Sequence, residues 1–162
     1  MSTLAYWQQL GLDIDGEAAG DQSGVHVSLS SDGRSVAIGG WLNDGTGNES
    51  GQVRIYRLDG SDQWVQVGSD IDGEAEGDRS GFALSLSDDG KTVAIGAYRN
   101  DGNGDDSGHV RIYQLNEIDE WVQVGADIDG EAGSNSGFDL SLTGDGQTVV
   151  IGYAPVRVYK LN

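Results

Sequence analysis

Apolar and polar residues alternate with a period of two in short runs that recur along the chain. Val25, Val27 and Leu29 fall on one side of the first run, and Phe82, Leu84, Leu86 and Phe138, Leu140, Leu142 repeat the arrangement. This period predicts strands with one buried face. Each run is followed by SSDGRS, SDDGKT or TGDGQT, whose Asp32–Gly33, Asp89–Gly90 and Asp145–Gly146 pairs supply the positive φ of a tight hairpin. VAIG, VAIG and VVIG come next, apolar on both faces and so expected to be the most buried strand of each set. A third strand, VRIY at Val53–Tyr56 and Val110–Tyr113 and VRVY at Val156–Tyr159, carries an arginine and is expected nearer a sheet edge. The fourth is clearest as WVQVG at Trp64–Gly68, and nothing in the chain reads as a helix.

These sets form a repeat of 57 residues opened by Trp7, Trp64 and Trp121. Residues 7–63 and 64–120 are identical at 34 of 57 aligned positions, and residues 121–162 follow the same plan with a shortened loop at Gly152–Arg157. A unit of this size has an apolar face that it cannot bury alone, so neighbouring units must stack. Four antiparallel strands per unit describe a propeller blade, and the expected fold is all-β: one repeat domain, 1–162, of three blades. A monomeric β-trefoil, also three repeats of four strands, is the alternative. The chain opens on a fourth strand, 6–13, and closes on a third, 156–161. Three blades are too few to close a ring, so the expectation is a head-to-tail homodimer in which each N-terminal strand completes the other chain's third blade, giving six.

Charge narrows the partners. The net charge is -18, with nine Lys and Arg against 27 Asp and Glu, which disfavours nucleic acid and anionic lipid. No run approaches a membrane span, and the N-terminal residues lack the features of a signal peptide. There is no cysteine, hence no disulfide and no thiolate metal site. Of the 27 acids, 17 fall in the loops joining second to third strands and fourth strands to the next unit, so one face of the fold is expected to be strongly acidic.

In the second unit Gly77–Asp78, Ser80–Gly81, Phe82–Ser87, Asp89–Gly90, Val93–Ala97 and Ser107–Tyr113 form a progression that resembles the FG-GAP repeats of integrin α-subunit propellers. The resemblance implies a propeller that binds a protein partner, with calcium as cofactor, and an extracellular location. Two departures stand out. The Phe-Gly of the family is Ser-Gly here, and the family's calcium loop between first and second strands has shrunk to the bare Asp-Gly hairpin, so no calcium site carries over to Asp32, Asp89 or Asp145.

Calcium has other candidate ligands. A hard cation takes six to eight oxygens, commonly from alternate positions of a glycine-rich loop. Asp101, Asn103, Asp105 and Ser107 alternate in this way, and Asp44 and Asn48 form a weaker version in the first unit. The competing role for such residues is to cap turns. The triplets Asp13, Asp15, Glu17, then Asp70, Asp72, Glu74, then Asp127, Asp129, Glu131 recur in every unit and read as structural.

His26 and His109 occupy different places in their repeats and have no evident ligand partners, so both read as incidental. No G-x-S-x-G nucleophile elbow occurs. Trp41 and its counterpart Tyr98 are the aromatics expected to meet a ligand such as a sugar ring. The expected function is a non-enzymatic binding or scaffold module with an acidic loop face. Alternatives are a glycan-binding module, a hydrolase on the same blades, and a designed or recently duplicated repeat without evolved activity.

Overall fold

The computed structural model describes residues 5–153 and 155–162. Three antiparallel sheets follow one another in chain order, with no helix among the described residues. The first contains β1 (His26–Leu29), β2 (Ser35–Gly40), β3 (Gln52–Leu58), β4 (Trp64–Gln66) and β5 (Ile71–Asp72). The second repeats it with β6 (Ala83–Leu86), β7 (Thr92–Ala97), β8 (His109–Leu115), β9 (Trp121–Gln123) and β10 (Ile128–Asp129). The third holds β11 (Leu140–Leu142), β12 (Thr148–Ile151) and β13 (Arg157–Lys160). Separate sheets in sequence follow a β-propeller-like plan and not that of a trefoil, and the three are numbered blades 1 to 3 in chain order.

β4 and β5 both pair with β3 and form one fourth strand interrupted by a bulge. Gln66 faces Tyr56 and Ile71 faces Val53, so four residues oppose two; Gly68 absorbs the distortion at φ +72°. The same break separates β9 from β10 along β8. The strand expected at 6–13 is not formed and pairs with no strand among the described residues, and the strands of blade 3 end with β13.

The Asp-Gly hairpins share one local device. Asp32 accepts from the Ser30 hydroxyl at 2.7 Å and from the Arg34 N–H at 2.9 Å, and Asp89 and Asp145 repeat both bonds. The turn is thus specified by side chains two residues either side, whatever lies beyond it.

Blades pack face to face. Ala37, Val53, Ile55 and Ile71 of blade 1 meet Leu86, Val93 and Ile95 of blade 2. Ala94 and Val110 of blade 2 meet Leu142, Val149 and Ile151 of blade 3 in the same way. The approach is close enough that a Cβ at Gly39 would collide with the Gly81 carbonyl, and one at Gly96 with the Gly137 carbonyl.

Two strand expectations change. β3 is buried almost throughout, like β2, because Arg54 lies at 7% exposure with its guanidinium donating to the Asp15 carbonyl at 2.9 Å. Val25, Val27 and Leu29 were expected on a buried face, yet each is more than half exposed, since no blade packs in front of blade 1.

Candidate functional site

The loops between second and third strands bind the loops that follow the fourth strands. Gly73 donates to the Gly51 carbonyl and Gly130 to that of Gly108, both at 2.8 Å, while Asn43 and Asn100 donate to the buried Asp21 and Asp78 at 3.0 and 2.9 Å. One consequence is that acids from consecutive repeats arrive at the start of the intervening third strand.

At β8 this gathers Glu74, His109, Arg111 and Asp127. His109 is 3% exposed, and its Nδ1 has no hydrogen-bond partner. That nitrogen lies 3.8 Å from Asp127 Oδ2 and 4.0 Å from Glu74 Oε2. Arg111, two residues along the same strand face, donates twice to Asp127 at 2.9 and 2.8 Å and pairs with Glu74 through the other carboxylate oxygen. Gln123 donates to Asp127 Oδ1 at 2.6 Å. The carboxylates are therefore fixed from behind, with Glu74 Oε2 turned toward the imidazole.

Electrostatics keep the ring neutral. Burial lowers the pKa of His109, the Arg111 charge adds to this, and the pull of Asp127, Glu74 and Asp78 does not reverse it. Hydrogen bonds from Arg111 hold Asp127 below the usual carboxylate range. Burial works against the Arg111 charge, but its bonds to Asp127 and Glu74 win and it binds its proton more tightly than usual. The result is a neutral imidazole nitrogen facing two carboxylate oxygens, a donor set able to hold a divalent metal ion.

The repeat provides an internal control. Position for position, blade 1 has Glu17, Gln52, Arg54 and Asp70, where Gln52 donates to Glu17 at 3.0 Å and closes the place with an amide. Blade 3 has Glu131, Pro155 and Arg157, with Arg157 donating to Glu131 at 2.6 Å. At this position a histidine stands only in the middle unit. The expectation that His109 lacks ligand partners is thus corrected: Glu74 of its own unit and Asp127 of the next, each distant in sequence, offer carboxylate oxygens beside it. His26 instead stacks on Phe82 with ring centroids 4.8 Å apart.

The sequence-predicted calcium ligands lie in the loops at 43–51 and 100–108. Asp101 Oδ1 accepts from the Asp106 N–H at 2.8 Å, and Asp44 accepts likewise from Glu49. Asn103 donates to the Gly130 carbonyl at 2.7 Å, and the buried Ser107 hydroxyl donates to that of Asn100. Asp105 and Asn48 contribute backbone carbonyls, to Gly133 and Gly77. None of these residues belongs to the Glu74, His109 and Asp127 group.

Trp41 and Tyr98 sit together with Phe82, Phe138 and Tyr153 in a run of rings whose neighbouring centroids are 4.5 to 5.5 Å apart. Neither is freely exposed. Tyr98 is buried and accepts from Arg79 at 2.8 Å, and the same guanidinium lies 5.1 Å from the Trp41 ring.

The FG-GAP repeat family is matched over residues 69–113, so the chain carries an FG-GAP repeat in its second unit, as the motifs there anticipated. No curated protein matches the sequence. Among solved structures the chain is similar to the periplasmic gluconolactonase PpgL of Pseudomonas aeruginosa, at 18% identity and TM-score 0.51, covering 83% of this chain and 38% of that one. It is also similar to a candidate 6-phosphogluconolactonase from Bacteroides uniformis, at 20% identity and TM-score 0.62, covering 94% and 40%. The chain spans about two fifths of the length of these structures. At such identities the likeness is one of fold, a β-propeller-like all-β architecture. It corrects the expectation of a non-enzymatic binding or scaffold module, because the solved proteins sharing this fold bear the names of lactonases.

Proposed function

We propose that this chain supplies the catalytic blades of a lactone-opening hydrolase, centred on Glu74, His109 and Asp127. The observation that carries the reading is the buried, unpartnered Nδ1 of His109 facing two carboxylates that Arg111 holds in place. A buried polar atom left without a partner costs stability, and such a cost persists most readily where function requires it. The lactonase names of the structures sharing the fold supply the substrate class.

The donor set favours zinc or manganese over calcium, which prefers oxygen ligands throughout. Bound there, the metal would polarise a lactone carbonyl and acidify a water molecule. The chain's own residues do the rest. His109 would offer its Nδ1 lone pair to the metal in the Nε2–H tautomer, Arg111 and Gln123 fix the Asp127 carboxylate, and Glu74, with its side chain 46% exposed, leaves the centre open to substrate from the loop face. Addition of water to the carbonyl and cleavage of the ring C–O bond yields the hydroxy acid and one proton.

The test is proton release in a pH-stat with D-glucono-δ-lactone as substrate, after EDTA treatment and then with added zinc or manganese. The expected result is opening faster than the uncatalysed rate that needs the metal and falls at least 100-fold in Glu74→Gln. Rates equal to the buffer background under every condition would refute the proposal.

A further inference from the structure

Most of the exposed large apolar side chains fall at residues 6–12, at β1 and at β13. Val25, Val27 and Leu29 lie on β1 or next to it, and Tyr153, Val156, Val158 and Leu161 lie on or beside β13; all are at least 40% exposed. Most of their counterparts inside the chain are covered, Phe138 at 40% exposure being the exception. Leu86 and Leu142, equivalent to Leu29, are 6% and 8% exposed, and Val53 and Val110, equivalent to Val156, are fully buried. Blade 1 therefore presents the surface that blade 2 buries against blade 1, and blade 3 presents the surface that blade 2 buries against blade 3.

A second observation gives the register. Trp64 donates from its indole to the Leu10 carbonyl at 2.9 Å, and Trp121 to that of Val67 at 2.8 Å. The adjoining glycines leave room for the rings: a Cβ at Gly11 or Gly68 would lie 2.8 Å from the indole. The next positions in this series are Val124 and Gly125, where a Cβ would meet nothing within 4 Å. A cavity of about 200 Å³ opens there, lined by Val124, Gly125, Ile128, Val149, Tyr159 and Leu161. Meanwhile Trp7, first of the repeated indoles, is wholly exposed.

We infer that the occupant of both surfaces is a second copy of this chain, related head to tail, with Trp7 of each copy seated in the Gly125 cavity of the other. Residues 6–13 then run along β13 as the fourth strand of the partner's blade 3, Trp7 opposite Leu161 as Trp64 is opposite Leu58 within the chain. Val150, Val156 and Val158 of one copy meet Ile14, Leu29, Val36 and Ile38 of the other, which repeats the two interblade cores already formed. The two faces match each other by repeat identity, and a two-fold axis closes the ring without leaving either face bare.

The experiment is sedimentation equilibrium of the 162-residue chain, together with cysteine cross-linking, which the cysteine-free sequence makes specific. Within the chain Ser31 N donates to Asp88 O, and Asp88 N to Gly144 O, so Gly144 of one copy should meet Ser31 of the next. Ser31→Cys/Asp88→Cys should bridge within one chain as the positive control, whereas Ser31→Cys/Gly144→Cys should bridge between chains and give a covalent dimer. Trp7→Ala should raise the dimer dissociation constant roughly 30-fold or more, as for a central aromatic anchor, and Val158→Glu should abolish association. Trp7 touches nothing in the monomer, so its variant keeps the fold. A folded monomer at micromolar concentration, open-ended polymers, or a Trp7→Ala dimer of unchanged affinity would each overturn the inference.

Discussion

His109→Gln puts into blade 2 the residue that blade 1 carries at the equivalent position, and it should make the protein more stable while silencing the site. In the parent the Nδ1 atom is buried and unpartnered. Leaving such a group unsatisfied costs about 1–3 kcal/mol. The replacement amide has a template in Gln52, which donates to Glu17 at 3.0 Å, and a hydrogen bond to a carboxylate is worth about 1.5–3 kcal/mol at most. Glu74 is half exposed and already pairs with Arg111, so the second gain should be small. A net stabilisation of about 1–3 kcal/mol follows, which for a domain of this length raises Tm by roughly 2–10 °C. The assay is urea unfolding followed by tryptophan fluorescence at pH 7.5 with EDTA, so that no bound metal stabilises the parent, beside lactone opening with metal restored. A variant no more stable than the parent would refute the reasoning that an unpaired imidazole is being tolerated; one that kept full activity would refute its role.

Further expectations follow from packing and titration. Val93→Ala, at a fully buried site, should cost about 2 kcal/mol, against under about 0.5 kcal/mol for the exposed Val27→Ala when both are compared as monomers by urea unfolding. Gly96→Ala drives a methyl group into the Gly137 carbonyl and should cost about 3 kcal/mol, with loss of the contact between blades 2 and 3 read by hydrogen exchange. Trp121→Phe removes the indole bond to the Val67 carbonyl and should cost about 1 kcal/mol by the same unfolding assay. Burial lowers the pKa of His26 below its ordinary 6.5, so the unfolded chain takes up a proton that the fold resists. Stability present above pH 6.5 should thus decline as pH falls below it, and the decline should be shallower in His26→Gln when midpoints are compared between pH 7.5 and 5.5.

The blades were legible because their determinants are local. Alternation in Phe82, Leu84 and Leu86, and the bonds that Asp89 makes to its neighbours, act within a few residues and recur three times. Burial that depends on a neighbouring blade was not legible: Val27 and Leu84 have the same pattern, and only the second has a blade in front of it. β3 stands next to the edge strand β4, as its arginine suggested, yet it is more buried than that position implies, because Arg54 finds its acceptor in a backbone carbonyl from the preceding loop. The site was hidden for a related reason, since Glu74, His109 and Asp127 are far apart in sequence and meet through the pairing of β10 with β8 and the bonds between loops. Its signal was present nonetheless, as the change from Gln52 to His109 to Pro155 at one place in an otherwise repeating motif.

By acquiring His109, one of three equivalent places gains the proposed metal centre. Zinc stoichiometry by equilibrium dialysis tests it most directly, on the parent, His109→Gln and Gln52→His. One tightly held ion is expected per parent chain, none in His109→Gln, and a gain in Gln52→His, where Glu17 already bonds the residue replaced and Asp70 holds the place equivalent to Asp127. An ion count unchanged by His109→Gln, or no ion in the parent, would contradict it.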